Sequence, residues 1–268
     1  GCYCCNRQVS SDSEIVVSGA GILYTANYDL TVGGNLSVAT VTAGAGAPAE
    51  TISIAGSFTS TTFTPEDSTV VLNGTTTPVS IGPGSYNNLR LEKTVAAQVT
   101  KTSALTVAGT LDIDANNTLT LGTTLSVTGT TTNDGTITAG TGTISLADLT
   151  NNGTVAVGGE TLTATSITGG IVSTTSGVIS TTGMIATLNA TTSATLNGGA
   201  GLTVTNAIAG SPNLTLSGAV MLNGAVGTIS NPGTLTLNGT LTSGTITNTG
   251  TVAVGGETLT ATSITGGI

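Results

Sequence analysis

Three cysteines, Cys2, Cys4 and Cys5, lie close together in GCYCCNRQ and are the only thiols of the chain. A structural zinc site needs four nitrogen or sulfur ligands, and the chain has no histidine and no fourth cysteine to complete one. An odd number of cysteines in an exported protein indicates at least one disulfide to another chain. We therefore expect an intersubunit disulfide here, while lipid attachment at Cys2 and an unordered tail stay open as alternatives.

Asp112 and Asp114 are the candidates for acid–base chemistry. They lie two residues apart in LDID, which places both carboxylates on one face of a strand, and some solenoid enzymes cleave polysaccharides with paired carboxylates. The chain has no histidine for proton transfer, and all four basic residues precede Asp112. We therefore predict that the protein is not an enzyme and that this pair is solvated or caps a corner. Glu66 and Asp67 are likewise assigned to a loop.

Adhesion is the other chemistry that the sequence allows. All six aromatic and all four basic residues fall within the first 101 positions. A protein or glycan ligand would therefore find aromatic and cationic groups only in this part of the chain. The candidate adhesive contacts are Tyr24, Tyr28, Phe58, Tyr86 and Arg90.

Seven Asn-x-Ser/Thr sequences are candidate glycosylation sites, although a chain of this composition is expected to contain about six by chance. We expect them at corners between strands, and they begin at Asn35, Asn73, Asn116, Asn152, Asn189, Asn213 and Asn238. Thr-x-Thr pairs such as Thr234 with Thr236 raise ice binding as a minor alternative. The sequence does not sustain such pairs regularly enough to favour it.

The formal net charge of −9, with 13 acidic and four basic residues, limits the partners. Nucleic acids and anionic membranes attract clusters of lysine and arginine, and the chain has none. No run of about 18 unbroken apolar residues is present, so no transmembrane span is predicted. The calcium-binding nonapeptide of some solenoids is also absent. We expect no metal or cofactor; the expected partner is a second copy of the chain, with a cell-surface glycan or protein as the alternative.

The elements that must position these residues are predicted to be short strands. Only six of the 268 residues are aromatic and 39 are glycine, while the many β-branched residues favour strands over helices. In the segment 227–250, Gly-Thr pairs recur at intervals of five or six residues. Each interval accommodates a strand of three or four residues and a glycine or asparagine corner, so three intervals make a coil of about 17 residues.

Stacked coils of this size predict an all-β fold, a right-handed parallel β-solenoid with roughly triangular coils. Aliphatic side chains point inward, and Thr, Ser or Asn outward, in a pattern of aliphatic-x-aliphatic-x-Gly-x-aliphatic that occurs at 30–36, 52–58, 105–111 and 214–220. The eighteen residues 154–171 recur unchanged at 251–268, 97 positions later. If both copies occupy the same place in a coil, the 97-residue unit holds a whole number of coils, either five or six.

The sequence divides into three expected regions. Residues 1–29 form a cysteine-containing segment or cap, residues 30–101 form less regular first coils, and residues 102–268 form a repetitive Thr- and Gly-rich stalk. No charged side chain occurs between Thr161 and Gly256. Uncharged rows suit a stack of coils, because like charges about 4.8 Å apart repel by roughly 1 kcal/mol even in bulk water.

The run Asn-x-Gly-Thr followed by an aliphatic residue occurs at 133–137, 151–155, 231–235 and 248–252. It resembles the GTI-x-N-x-GT(I/V) repeats of filamentous-haemagglutinin-like and autotransporter-passenger surface proteins. The segment 58–93 also resembles repeats of very large bacterial surface proteins, with STV, a glycine turn and YNNL. The resemblance covers most of residues 30–268, and it implies an extracellular or cell-surface solenoid that serves adhesion, surface coating or fibre formation.

A solenoid has an unpaired strand edge at each end, which must be capped or must pair with another chain. The repeat pattern continues through Gly-Gly-Ile at 266–268 without a recognisable cap, so either the 268 residues are an excerpt of a longer array or the open end stacks on the next subunit. A head-to-tail contact that does not close produces a filament. The sequence therefore favours a structural subunit of an extracellular fibre, stalk or cell-surface filament, joined through open solenoid ends and N-terminal disulfides. The alternative is a surface adhesin whose ligand site lies in the first hundred residues.

Overall fold

The computed structural model contains strands and no helix among the residues that it describes, which are 2–4, 9–11, 15–25, 28–46, 49–190, 193–198, 202–209, 213–217, 220–222, 228–231, 234–248 and 250–266. The chain divides into two compact units, Gly1–Thr141 and Gly142–Ile268. Parallel pairing between successive coils builds each unit. The predicted all-β fold, a parallel β-solenoid, is therefore confirmed.

The first unit contains eighteen of the described strands, and most have three to five residues. They are β1 (Cys2–Cys4), β2 (Val9–Ser11), β3 (Ile15–Tyr24), β4 (Leu30–Val32), β5 (Leu36–Thr42), β6 (Thr51–Ile54), β7 (Phe58–Thr64), β8 (Thr69–Leu72), β9 (Val79–Ser80), β10 (Ser85–Tyr86), β11 (Asn88–Leu91), β12 (Ala97–Lys101), β13 (Leu105–Val107), β14 (Leu111–Ile113), β15 (Asn117–Leu121), β16 (Leu125–Val127), β17 (Thr131–Asn133) and β18 (Thr136–Thr138).

The second unit contains fourteen described strands, several of which are longer. They are β19 (Ile144–Asn151), β20 (Thr154–Gly158), β21 (Thr161–Thr168), β22 (Ile171–Thr174), β23 (Val178–Ala190), β24 (Ser193–Asn197), β25 (Leu202–Ala209), β26 (Asn213–Ser217), β27 (Val220–Leu222), β28 (Thr228–Asn231), β29 (Thr234–Asn238), β30 (Leu241–Asn248), β31 (Val252–Ala253) and β32 (Leu259–Thr265).

Side chains on successive coils of the first unit stack into columns. Burial alternates along β4 and β6, which confirms the predicted inward and outward pattern. Each residue of the clearest column is at most 1 % exposed, and burying a large aliphatic side chain stabilises a fold by about 1.5–3 kcal/mol. This column consists of Leu30, Ile52, Val70, Leu89, Leu111 and Thr131.

The glycine-containing pattern at 30–36 stacks on its repetition at 52–58. Corner meets corner there, and the N–H of Gly56 donates to the carbonyl of Gly34 over 2.8 Å. A Cβ at Gly56 would lie 2.8 Å from that carbonyl carbon, closer than any side chain can come. The glycine is required because two backbones touch at the corner.

Coil length varies along the chain. Residues paired between named strands are 18–22 positions apart in the first unit and 16–21 apart in the second. The predicted coil of about 17 residues therefore describes part of the second unit, whereas coils of the first unit are longer. Their additional residues lie in corners such as the predicted loop that contains Glu66 and Asp67. The expected boundary near Lys101 lies inside the first unit, where β12 pairs with β9 and with β15.

Three columns of register-paired residues, one on each face of the coil, run through the second unit. Face 1 contains Leu162, Ile179, Leu196, Leu216 and Leu237. Face 2 contains Leu149, Ile167, Gly183, Leu202, Val220, Leu241 and Leu259. Face 3 contains Val155, Val172, Leu188, Ile208, Ile229, Ile246 and Ile264.

The two identical eighteen-residue copies keep their pairing register but lie on different faces. Six residue pairs join β19 to β21, and six pairs, each displaced by 97 positions, join β30 to β32. Ile167 nevertheless belongs to face 2, whereas its copy Ile264 belongs to face 3. The expectation of five or six whole coils is therefore wrong. The 97 residues make five coils and one additional face.

The three faces of a coil are nearly equivalent, which explains why two copies of the same strand lie on different faces. Each face needs only a short strand with alternating inward aliphatic and outward small polar residues, followed by a corner. The strand sequence LTATSIT satisfies this requirement on more than one face. The pattern therefore specifies which side chains point inward, and it does not specify which face they occupy.

We expect Gly129→Ala to destabilise the first unit. The added Cβ would lie 2.6 Å from the carbonyl carbon and 3.1 Å from the Cα of Gly109 in the neighbouring coil. Overpacking of this kind should lower the free energy of unfolding by about 1–3 kcal/mol. Gly84→Ala is the matched control, because its Cβ would make an ordinary contact at 3.5 Å with the Ala104 carbonyl oxygen. Urea denaturation measures both variants, and equal midpoints would contradict the close stacking of these corners.

Candidate functional site

Strand stacking brings Arg90, Glu92 and Asp112 together. β11 and β14 pair Arg90 with Asp112 in register. The Arg90 Nε donates to Asp112 Oδ2 at 3.3 Å, and Arg90 Nη2 contacts Glu92 Oε1. The three side chains are 29–43 % exposed, so each ion pair is worth at most about 1 kcal/mol. Asp112 is an ion-pair partner, which differs from the solvated or capping role that the sequence suggests.

Asp114 has the corner role that the sequence allows for it, and it acts through its backbone. It follows β14, and its N–H donates to the Leu91 carbonyl at 3.0 Å. Its own carbonyl accepts from the Asn117 N–H at 3.1 Å. The two aspartates therefore take separate structural roles, one as an ion-pair partner and one at a corner.

Lys93 is buried although it is one of only four basic residues. Its side chain is 4 % exposed. The amine donates to the backbone carbonyl of Asn73 at 2.6 Å and to that of Ala55, both at corners of preceding coils. Burial lowers the pKa of Lys93 to about 8. Lys93 thus ties corners of the first unit together.

Lys101 stands in an otherwise apolar column. β12 pairs with β15, which places Lys101 beside Leu121, and the lysine is 1 % exposed. Its amine donates to the Gly82 carbonyl at 3.0 Å and to Ser103 Oγ, both on exposed corner residues. The stem therefore packs in the core while the charge reaches the corner. Burial lowers its pKa.

The predicted adhesive role of Phe58 and Tyr86 is wrong, because they are 0 % and 1 % exposed. With Phe63 they form an aromatic cluster whose ring centroids lie 5.3, 5.5 and 6.4 Å apart. Phe58 and Tyr86 are therefore core residues of the first unit. The Tyr86 hydroxyl is buried without a hydrogen-bond partner, and burial raises the pKa of this phenol above its usual range.

Tyr24 and Tyr28 are exposed, as the adhesin alternative requires. Their exposed fractions are 37 % and 47 %. Val16 and Ile22, on the same strand as Tyr24, are 55 % and 40 % exposed. We call these four residues the β3 patch. Arg90 is also accessible, but carboxylates on two sides hold its guanidinium.

Glu50 anchors Thr25, which follows the exposed Tyr24. It is 2 % exposed, and its Oε1 accepts from Thr25 Oγ1 at 2.5 Å and from the Gly44 N–H at 3.1 Å. The N–H of Tyr28 donates to the Thr25 carbonyl at 3.1 Å, and the Thr25 N–H donates to the Thr42 carbonyl. A buried carboxylate is tolerated only with donors of this kind. The position of the β3 patch therefore depends on a buried polar anchor.

The cysteine segment is described in part. Cys2 and Cys4 lie on β1, which pairs with β3 so that Cys2 is beside Ile22 and Cys4 is beside Tyr24. Cys5 lies outside the described residues. Within the described part of the chain, no group of three histidine, cysteine or acidic residues is placed to hold a metal ion. The intersubunit disulfide stays a prediction.

The candidate glycosylation sites divide into two groups. Four occupy corners, namely Asn35, Asn73, Asn116 and Asn152. Among these, Asn116 and Asn152 are exposed. The corner expectation is wrong for the other three, because their strands extend further than the glycine spacing indicates: Asn189 lies in β23, Asn213 in β26 and Asn238 in β29.

Sequence reasoning missed the buried polar residues. Asn133 and Asn151 begin two of the Asn-x-Gly-Thr runs, and both are 0 % exposed. The Asn151 Nδ2 donates to the Ile171 carbonyl of the next coil at 3.2 Å. The recurrence of asparagine at a fixed place before a corner was the signal, since an inward amide can tie one coil to the next.

Polar rows mark the outer surface of the second unit. The register aligns Thr163, Ser180 and Asn197 on three successive coils. These residues line a shallow, uncharged depression of about 170 Å³, which offers hydrogen bonds and no acid or base. Thr234 and Thr236 stack on Asn213 and Thr215, so regular Thr pairs are not sustained there, as the sequence predicts.

We expect the contribution of Lys93 to the stability of the protein to rise with pH between about 8 and 10.5. Lys93 has a pKa of about 8 in the folded state and an ordinary value of 10.5 when exposed. In this window the unfolded chain holds the Lys93 proton and the folded chain has released it. The free energy of unfolding therefore increases by up to about 1.4 kcal/mol per pH unit. Below pH 8 both states are protonated, so this contribution stays constant.

Urea unfolding of the wild type and of Lys93→Met at several pH values checks this dependence. In Lys93→Met, the free energy of unfolding should lose most of its increase with pH. Lys101→Met should lose part of this increase, because burial lowers the pKa of both lysines. Arg90→Met removes a more exposed cation and is the control. A wild-type stability that falls from pH 8 to 10 would contradict the expectation.

We expect Tyr86→Phe to raise the free energy of unfolding by about 1 kcal/mol. The substitution removes a buried hydroxyl that has no partner and keeps the ring in its cluster. Tyr28→Phe changes an exposed hydroxyl and should alter stability by less than about 0.5 kcal/mol. Thermal and urea unfolding measure both variants. A less stable Tyr86→Phe would show that the hydroxyl has a hydrogen-bond partner.

Comparison with known proteins gives no identification: no family model, no curated protein and no solved structure matches the chain. The described residues include no helix with the length and apolar character that crossing a membrane requires.

Proposed function

We propose that the protein is a structural segment of an extracellular fibre, stalk or cell-surface filament in which coils stack on coils. The observation that carries this proposal is the repetition of one stacking register on different faces of the coil. Six residue pairs join β19 to β21, and the same six pairs, displaced by 97 positions, join β30 to β32. One strand sequence therefore continues the stack on more than one face.

The same interaction adds each coil to the stack. β21 and β32 share the sequence LTATSIT and have the same register with the preceding coil, and β21 receives a further parallel strand, β23, on its other edge. Stacking of this kind can extend without limit, because each coil contacts only its neighbours.

The outward surface of the second unit also favours a mechanical role. No charged residue occurs between Thr161 and Gly256. Rows of hydroxyl and amide groups can therefore stack about 4.8 Å apart without the repulsion that like charges would cause. Such rows can be repeated over many coils, which is the property that a stalk needs.

The adhesin alternative receives less support from the first unit. Phe58 and Tyr86 belong to the core, and Arg90 is held by two carboxylates. Of the five candidate contacts, the two exposed tyrosines remain. An extracellular location agrees with the expected intersubunit disulfide and with the resemblance of the Asn-x-Gly-Thr runs to bacterial surface repeats.

We expect the purified chain to join through stacked coils into assemblies whose size increases with protein concentration, measured by electron microscopy and light scattering. Ile264→Lys places a charge on β32 and should reduce joining by about tenfold or more, because burying an unpaired ammonium costs several kcal/mol. Ile171→Lys is the matched control: Ile171 is 38 % exposed, but its strand is paired on both edges. Separate particles at every concentration, or equal joining by both variants, would argue against assembly through β32.

A further inference from the structure

The β3 patch is a concentration of exposed apolar surface. Nine large apolar side chains are exposed among the described residues, and four of them lie between Val16 and Tyr28. Scattered exposed apolar residues are normal on a protein surface, whereas a cluster marks a contact site. Tyrosine is also enriched in contacts between proteins, because its ring buries a large area while its hydroxyl keeps a polar partner.

The sheet that carries the patch is uncharged. β3 pairs with β5 and β5 pairs with β7, so that Tyr24, Thr42 and Thr64 lie in register on successive coils. Ile22 begins a parallel row of the same kind. The sequences of β1, β3, β5 and β7 contain no charged residue. An identical sheet can therefore approach without repulsion between like charges.

The cysteine strand adjoins the patch, which is an independent indication of what the patch binds. β1 pairs with the edge of β3, so Cys2 and Cys4 are register partners of Ile22 and Tyr24. Neighbouring strands lie about 4.8 Å apart. A contact between the patches of two copies would bring the cysteine strands of both copies to one interface. A second copy of the chain is the partner that would use both features, the apolar patch and the cysteine strand paired beside it.

We propose that the β3 patch binds the β3 patch of a second copy of this chain, and that a disulfide between the two cysteine strands then locks the pair. The contact is two-fold, since the same surface is used on both copies. It does not depend on the stalk function, because it uses a side surface of the first unit and not the edge of β32.

The β3 patch is too small to form a stable dimer by itself, so the pair needs a disulfide to persist. A stable interface buries about 800 Å² per partner and involves about 20–30 residues, whereas the patch consists of four side chains with adjoining threonines. The noncovalent contact is therefore weak. A covalent link makes the second encounter intramolecular, with an effective concentration in the millimolar range. In the oxidation, one thiol from each copy loses a proton and an electron as the S–S bond forms, and oxidised glutathione accepts both electrons and both protons to give two reduced glutathione molecules.

The test measures covalent dimer formation by the full chain in oxidised glutathione, using non-reducing electrophoresis. A Cys5→Ser background confines the reaction to the two cysteines on β1. Tyr24→Lys and Tyr28→Lys should each slow dimer formation by about tenfold or more. Val95→Lys is the matched control, since Val95 is exposed by 37 %, as Tyr24 is, but lies outside the patch. Circular dichroism establishes that each variant is folded, and Tyr28 is not part of a strand, so that variant keeps the pairing intact.

Sedimentation of the reduced protein gives the second measurement. A weak reversible dimer in the wild type that both tyrosine variants remove supports the proposal. Equal oxidation rates for the wild type and both variants would overturn it, because the thiols would then react by random encounter. A reduced wild type that stays monomeric but binds cello-oligosaccharides through the same tyrosines would overturn it in favour of a glycan ligand. Ile264→Lys should leave pairing through the patch unchanged, so failure of this proposal and failure of end joining are separable.

Discussion

Parallel hydrogen bonding between successive coils is the interaction on which the rest of both units depends. Each backbone N–H and C=O of a strand is paired with the coil above or below, which satisfies the groups that burial would otherwise leave unpaired. This pairing forces residues at equal positions into columns about 4.8 Å apart. Aliphatic residues form the inner columns, small polar residues form the outer rows, and glycine occupies corners where backbones touch, as Gly56 does beside Gly34.

The same spacing decides where charged and aromatic residues are tolerated. Arg90 is acceptable on an outer row because Asp112 of the next coil is opposite. Lys101 is acceptable in an inner column because its amine reaches two corner oxygen atoms. These exceptions are concentrated in the first unit, where additional residues lie in corners. The aromatic cluster and the buried Glu50 anchor also belong to the first unit.

The same strand sequence can occupy different faces of a coil, which distinguishes this fold from a protein built around one pocket. The copy of Ile167 moves to another face without any change in its pairing register. A surface assembled in this way is repeated and extended, and it does not converge on one point. The coils therefore present repeated outer surfaces, and the exposed residues of the β3 patch lie on one of them.

The sequence by itself determined the all-β solenoid, the inward residues at 30–36 and 52–58, and the loop at Glu66, because alternation and corner residues act over a few positions. Only the tertiary structure decided that Phe58 and Tyr86 are core residues, that Lys93 and Lys101 are buried, and that 97 residues make five coils and one face. Each of these depends on which residue lies in the neighbouring coil, 16–22 positions away. That distance is set by how many residues each corner absorbs, and a slip of one residue turns a side chain to the opposite surface.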